Sequence, residues 1–404
     1  MKKILFVINT MGHGGAENAL LELIKRIDKK SYAVSLFVLT GQGELIEQLD
    51  SDVKLLNKSF NSSSVLDADG RKYLKKTVMK SLLRRGNLIR LLPYMTVNFF
   101  RMLFRGRVMA EKLLWRAISD GADRYDEQYD LAVSFLEGGS AYYVADHVNA
   151  LKKAAFIHVD YGMAGYTRKL DRDCYIKYDT IFSVSDEVRE SFLKVYPECV
   201  GKSDVFHNYL DADGIRKKSE MTDDMLEIWN KNRHRIRILT VGRLTEQKAL
   251  DISEKACRLL TDMGFDICWF VLGEGNQRKK LEGLAEELSI ADRFFMPGVV
   301  SNPYPYIKQA DIYVHCSAFE GKSIAIQEAQ ILGKAMVVSD CSGNREQVRD
   351  REDGLMCDLN ENLIAEKVSE LLKDDRLRAE LGKKAADKQN RFDTEPVKLL
   401  NIMK

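Results

Sequence analysis

The sequence predicts an α/β protein made of two Rossmann-like units, each a parallel sheet with crossover helices. Three observations carry this expectation. Short apolar runs alternate with longer amphipathic ones along the chain, as in strands joined by helices. The alternation pauses in the polar stretch 211–235 and then restarts. The length, 404 residues, suits two or three domains.

In the first half the strand candidates are Ile4–Asn9, Val34–Leu39, Leu131–Phe135, Ala154–His158 and Thr180–Val184, with helices at Glu17–Ile27 and Ser185–Val195. The opening Met1-Lys-Lys-Ile-Leu-Phe resembles a short signal start, but its apolar run is too brief, and it reads as a first buried strand. In the second half, strands fit Ile236–Val241, Cys268–Leu272, Phe294–Pro297, Ile312–His315 and Met336–Ser339, and the stretch 208–235 reads as a linker. Ligands of such sheets bind beyond the carboxyl ends of the strands. The expectation is therefore a site in a cleft where two facing units meet.

Composition narrows the class. Forty-five per cent apolar and 30% charged residues describe an ordinary globular protein, with a formal net charge of +2. Seven dispersed cysteines without CxxC spacing exclude a zinc framework and fit free thiols in a reducing compartment. No apolar run reaches the ~18 residues of a membrane span, so the expected location is cytoplasmic, with peripheral membrane contact.

Five motifs carry chemistry. Glu320-Gly-Lys-Ser-Ile-Ala-Ile-Gln-Glu328 places one acid on a loop after a strand and another a turn into the next helix. The helix N-terminus between them offers free amides to an anion. Val241-Gly-Arg-Leu-Thr-Glu-Gln-Lys248 follows another strand, and two fixed cations there suit a diphosphate, although a basic pair in a loop is commonly just solvated. Asn9-Thr-Met-Gly-His-Gly-Gly-Ala-Glu17 follows the first strand. It lacks the third glycine of a dinucleotide fingerprint, and no acid closes the second strand, which argues against NAD. Val271-Leu-Gly-Glu-Gly275 reads equally as a tight connection. Met296-Pro-Gly-Val-Val300, with Gly298 and Val299, precedes Asn302-Pro-Tyr-Pro-Tyr306, and the two stretches form a stiff loop that is either a nucleobase platform or a structural turn. Asp171-Arg-Asp173 has the spacing of a metal motif but reads as surface; His207 looks structural, and His147, His234 and His315 carry no signal.

Residues 71–116 hold thirteen Lys or Arg and one acid, Glu111, interleaved with apolar pairs. Such basic amphipathic material suits an anionic membrane surface. No recognised nucleic-acid module accompanies it, so nucleic acid is not expected as a partner. A helical pair with a solvated basic face is the competing reading.

The ordered set Gly14-Gly15-Ala16-Glu17, His158, Gly242-Arg243…Lys248, Glu320 and Glu328 resembles the retaining glycosyltransferases of family 4, with the two-domain GT-B architecture. The likeness is strongest over 236–358 and weakest over 60–125. It implies a nucleotide-sugar donor, UDP-linked, with no metal or other cofactor. Arg243 and Lys248 would hold the diphosphate and Glu328 the ribose hydroxyls. Glu320 would bind hydroxyls of the donor sugar, as a ligand and not a nucleophile, beside the backbone of Gly321, Lys322 and Ser323. The amides of Ile324 and Ala325 would face the phosphates, His158 the sugar, and Gly14 and Gly15 the diphosphate or acceptor. Lys322 stands where many family members carry an apolar residue. The polar stretch divides the chain into 1–208 (acceptor side by the resemblance, with 71–116 inserted) and 209–390 (donor side), and 391–404 has the length to fold back as a last helix crossing to the first unit. The function it implies is transfer of a hexose or N-acetylhexosamine to a lipid-linked saccharide in cell-surface polysaccharide assembly. A non-hydrolysing nucleotide-sugar epimerase and a non-catalytic peripheral membrane protein are the alternatives.

Overall fold

A computed structural model describes the whole chain except residues 66–67, 105, 107, 223–224 and 389–394. The chain forms two compact units, Met1–Tyr209 with Phe392–Lys404, and Leu210–Arg391.

The first unit carries seven parallel strands: β1 (Lys2–Ile8), β2 (Tyr32–Val38), β3 (Lys54–Leu55), β4 (Tyr129–Ser134), β5 (Ala150–Ile157), β6 (Thr180–Ser183) and β7 (Ser203–Val205). Their order is β3-β2-β1-β4-β5-β6-β7, so the winding reverses between β1 and β4. The second unit holds six: β8 (Ile236–Val241), β9 (Ile267–Leu272), β10 (Phe294–Gly298), β11 (Ile312–His315), β12 (Met336–Ser339) and β13 (Leu355–Cys357). Their order is β10-β9-β8-β11-β12-β13, reversing between β8 and β11. Strands covered on both faces read as unbroken apolar runs, and β9, Ile-Cys-Trp-Phe-Val-Leu, is buried at every position. The two reversal points are where ligand crevices open in such sheets. They set the loops after β1 and β4 in one unit, and after β8 and β11 in the other, at the carboxyl ends of neighbouring strands.

Every strand expected from sequence forms, with ends shifted by a few residues at most. The short edge strands β3, β7 and β13 were not expected, because two or three residues leave no periodicity to read. The supposed linker 208–235 behaves differently. Short helices form at Ala212–Lys218 and Glu227–Lys231, and Trp229 is fully buried against Phe270 and Tyr306 at ring distances of 4.8 and 5.1 Å. One tryptophan in a polar stretch has thus anchored it to the core of the second unit.

Within 71–116 the described residues form three helices, α1 (Ala68–Leu83), α2 (Asn87–Phe104) and α3 (Ala110–Gly121), the first two joined by a turn at Arg84–Gly86. Helix α2 is amphipathic the wrong way round for a core helix. Its buried side is Asn87, Leu91, Tyr94, Asn98 and Met102. Leu88, Ile89, Leu92, Phe99, Phe100, Leu103 and Phe104 are exposed. Lys112 and Arg116 are buried, and Arg84 and Arg90 pair with Asp123 and Asp120. Arg71, Lys72, Lys75, Lys76, Lys80 and Arg85 are exposed. Among the described residues, no helix is long and apolar enough to cross a membrane. A last helix, Glu395–Leu400, lies in the first unit, where Lys398 pairs with Asp204 on β7 at 2.7 Å.

Asp171, expected at the surface, is fully buried in the first unit. It accepts hydrogen bonds from Tyr142 at 2.8 Å, Tyr161 at 2.5 Å and Tyr196 at 3.3 Å. Burial raises its pKa to about 7 against the lowering effect of those hydroxyls. Three tyrosines distant in sequence satisfy the carboxyl, a pattern no local spacing announces.

Candidate functional site

The second unit brings Lys248 and Glu320 together because β8 and β11 are neighbours, paired through Ile312↔Ile238 and Tyr313↔Leu239. The loop after β8 supplies Lys248 and the loop after β11 supplies Glu320, so residues 72 apart in sequence form an ion pair. Glu320 is 7% exposed. Its Oε1 also accepts from the Ser317 hydroxyl at 2.7 Å and lies 3.1 Å from His315 Nε2. Burial alone would hinder ionisation, but the Lys248 ammonium and His315 outweigh it and hold the carboxyl far below its ordinary range.

His315 closes β11 and is the residue that sequence reading passed over. Its Nε2 stands 3.1 Å from Lys248 Nζ and 3.2 Å from Ser323 Oγ, as well as beside Glu320. Burial, reinforced by Lys248, lowers its pKa against the opposing pull of Glu320, so the ring is neutral at neutral pH. A neutral ring has one Nε2 role at a time: it donates to Glu320, or it accepts from Lys248 or Ser323. The available signal was positional, since a histidine that ends a strand five residues before a loop acid shares that loop's end of the sheet.

The loop itself is braced. Gln247 Nε2 donates to the Phe319 carbonyl at 2.9 Å. The Gln347 side chain clamps Ser323 from both sides, accepting from its amide at 2.7 Å and donating to its carbonyl at 2.8 Å. Gly343 passes so close that a Cβ there would lie 2.0 Å from the Gly321 carbonyl. Ser323 then caps the helix Ile324–Ile331 by accepting from the Ile326 amide. Among the described residues, the amides of Ile324 and Ala325 have no backbone acceptor, which leaves them for an anion.

Glu328 sits one turn further along this helix and accepts from the Tyr304 hydroxyl at 3.0 Å. Burial raises its pKa to about 7, partly opposed by Tyr304 and Lys218. Arg243 is exposed and makes no ion pair among the described residues. Its loop rests on the Gly-Glu-Gly turn after β9: Leu244 N donates to the Glu274 carbonyl at 2.9 Å, and a Cβ on Gly273 would lie 1.9 Å from the Gly242 carbonyl. That turn is therefore a tight connection, and its glycines serve backbone approach. Gly298 takes φ +101, a conformation that favours glycine, and accepts from the Gly273 amide at 2.9 Å, leaving Val299 exposed beside it. Lys322 is half-buried in the braced loop.

In the first unit, Gly14 caps a helix, Gly15–Lys25, that follows the β1 loop, and Gly15 is exposed. The neighbouring β4 loop is tied to it: Asn9 donates to the Glu137 carbonyl at 3.1 Å and accepts from the Ser140 amide at 2.7 Å. His158 follows β5, its amide donating to Glu137 Oε2 at 3.1 Å. Its ring lies against Phe135 and Phe156, at 5.1 and 6.1 Å. Burial pushes its pKa down to about 4, and the shielded Nε2 has no protein partner.

Fold and site together define a protein of GT-B architecture whose second unit carries a helix start with two open amides between Glu320 and Glu328. Residues 221–388 match the family model described as Glycosyl transferases group 1. Over 222 residues the chain is 30% identical to the N-acetylgalactosamine-N,N'-diacetylbacillosaminyl-diphospho-undecaprenol 4-alpha-N-acetylgalactosaminyltransferase of Campylobacter jejuni, covering 54% of this chain and 58% of that protein. It is 25% identical over 167 residues to the poly(ribitol-phosphate) alpha-N-acetylglucosaminyltransferase of Staphylococcus aureus, covering 40% of this chain and 34% of that one. The chain thus spans little more than half the length of the first relative and about a third of the second. Among solved structures, Anabaena HepE in complex with UDP-glucose superposes with a TM-score of 0.68 at 14% identity, covering all of this chain and 97% of that one. Trehalose-6-phosphate synthase OtsA gives 0.70 at 13%, covering 100% and 99%. At such identities the likeness establishes the shared fold.

Proposed function

We propose that the chain is a retaining glycosyltransferase that moves a hexose or N-acetylhexosamine from a UDP-sugar to a lipid-linked saccharide in polysaccharide assembly. The observation that carries this reading is the Lys248–Glu320–His315 cluster beside the open amides of Ile324 and Ala325, with Glu328 a turn beyond. This arrangement fits a donor laid along the loop, with sugar at Glu320, diphosphate at the helix start and Lys248, and ribose at Glu328. The names of the Campylobacter and Staphylococcus relatives, both glycosaminyl transferases, support the substrate class.

In the reaction the bond from the anomeric carbon to the diphosphate oxygen breaks and a bond to the acceptor hydroxyl oxygen forms. The acceptor proton passes to the departing diphosphate on the same face, which gives retention. Negative charge grows on the leaving group, and Arg243, Lys248 and the two amides would stabilise it. Lys248 is held by Glu320, so donor binding would exchange that pair for contacts with phosphate and sugar. His158, neutral and with a free Nε2, would meet a sugar hydroxyl. The outward apolar row of α2 and the cations about it support a peripheral place on the inner face of the cell membrane.

A panel of nucleotide sugars, read by thermal stabilisation and by product formation with and without acceptor, tests the reading. One or more UDP-sugars should stabilise the protein and yield product only with acceptor. Arg243→Ala and Glu320→Ala should abolish transfer while the folded state persists. Conversion of the donor without any acceptor would instead mark an epimerase, and near-normal turnover in either variant would remove the site.

A further inference from the structure

His315 is 1% exposed, so it acts on a bound donor only through its neighbours. Its Nε2 faces two of them at equal distance, Lys248 Nζ and Glu320 Oε1, each at 3.1 Å. The two make opposite demands. An ammonium only donates, so Nε2 beside Lys248 is a bare acceptor and the ring proton is on Nδ1. An ionised carboxylate only accepts, so Nε2 facing Glu320 alone must carry the proton. Lys248 also pairs with Glu320 directly, and while it does so it resolves the conflict by donating to both. On the other side of the ring, Nδ1 meets the Tyr313 hydroxyl at 3.5 Å. A hydroxyl donates and accepts, so this contact serves either tautomer. Burial pushes the Tyr313 pKa upward, which keeps that hydroxyl protonated.

Donor binding upsets this balance. Lys248 leaves Glu320 for the diphosphate, and a carboxylate only 7% exposed loses its cation. A buried charge without partners is costly. Among the described residues, the other side chains at its oxygens are His315, the Ser317 hydroxyl at 2.7 Å and Gln247 Nε2 at 3.5 Å. Ser317 already donates to Glu320, and Gln247 donates to the Phe319 carbonyl. His315 is the neighbour with a new hydrogen bond to give. We propose that His315 is a positioning residue that switches tautomer on donor binding: Nε2 accepts from Lys248 while that lysine holds Glu320, and donates to Glu320 once the lysine has gone to the diphosphate. One proton leaves Nδ1 for water and one from water joins Nε2, so the ring stays neutral and no net proton is taken up. Burial lowers the His315 pKa, which keeps imidazolium out of the exchange at neutral pH. Glu320 thereby stays ionised and fixed, able to accept from sugar hydroxyls. This inference rests on the placement of the donor diphosphate at Lys248.

The nitrogen chemical shifts of a histidine ring report which nitrogen carries the proton. They can be read at pH 8 from protein labelled with nitrogen-15 in its six histidines, the His315 signals being those lost in His315→Gln. Without nucleotide, Nδ1 should be protonated and Nε2 bare; with saturating UDP the two should exchange. Lys248→Met, with no nucleotide added, should by itself put the proton on Nε2, and a bare Nε2 there overturns the switch. Nε2 protonated before UDP is added, or bare after thermal stabilisation shows UDP bound, also overturns it and leaves the donor site standing. UDP that gives no stabilisation removes the diphosphate placement, and the switch with it. Affinity supplies a second readout. His315→Leu should weaken UDP binding by about tenfold or more, the loss expected for a hydrogen bond to a charged group. His315→Gln, whose amide offers both a donor and an acceptor, should restore most of it. Equal losses in the two variants overturn the switch and reduce His315 to packing.

Discussion

Glu328 holds its proton unusually long. Its folded pKa is about 7, raised by burial from an ordinary 4.5. The folded state therefore binds a proton that the unfolded chain has released between pH 4.5 and 7. Stability from this group is present below 4.5 and lost as pH rises to 7. Binding runs the other way, since an ionised carboxylate accepts from both ribose hydroxyls and a protonated one cannot. A UDP-sugar, whose diphosphate diester does not titrate in this range, should bind about tenfold more tightly at pH 8 than at pH 6, the ratio of ionised fractions for a group titrating near 7. Glu328→Gln should flatten the slope, and Tyr304→Phe, by removing a hydrogen bond that favours ionisation, should move it to higher pH. Calorimetric affinities across pH 6–8 check this, and a flat parent profile would detach Glu328 from the donor. Ala249, next to Lys248, poses a different question. It takes φ +42, a left-handed conformation that costs a residue with a Cβ roughly 1–2 kcal/mol. Ala249→Gly should raise stability by about 1 kcal/mol in chemical denaturation, less than the full strain because glycine gains freedom in the unfolded chain.

At the scale of elements, the sequence exposed what is periodic and concealed what is assembled. The strands from β8 to β12 are legible because each is a short, largely apolar run ended by a turn, and the Glu320–Glu328 segment is legible because acid, small residues and helix lie within nine positions. His315, Gln247, Gln347 and Gly343 were not. Gln247, Gln347 and Gly343 act by contacts that exist only once β8, β11 and β12 are aligned, and His315 offered only its place at the end of a strand five residues before Glu320. The loop after β12 reaches the site only by this alignment. Its Gly343 lies under the Gly321 carbonyl, with Glu320 Cβ also within 2.9 Å of where a Cβ would stand. Neither contact is the end of a flexible side chain, so Gly343→Ala should push the Glu320 loop out of place. The expected outcome is a donor affinity loss of tenfold or more with modest change in melting temperature, since the strain falls on a loop. Unaltered affinity would mean that the loop shifts without consequence for donor binding. Asp171 makes the same point in the first unit, where three tyrosine hydroxyls met in folding converted an apparent surface acid into a buried one.

For the molecule as a whole, the open issue is why an 18-residue helix turns its apolar side outward. On α2, Ile89 and Phe100 are 82% and 50% exposed, while Asn87 and Asn98 are buried. Positions eleven apart fall on one face of a helix, so the exposed row is continuous along α2. Leaving several such side chains in water forgoes about 1.5–3 kcal/mol each if they are fully buried elsewhere, and nearby cations add about 1 kcal/mol each at an anionic surface. A membrane supplies both. Ile89→Glu/Phe100→Glu should leave the melting temperature unchanged, because both side chains already face water. It should weaken sedimentation with phosphatidylglycerol vesicles by more than tenfold, and slow transfer to a vesicle-borne acceptor while sparing donor hydrolysis. If the row instead pairs with a second copy of the chain, analytical ultracentrifugation would show a parent dimer that the variant dissolves, with vesicle binding unaltered, and the membrane assignment would fall.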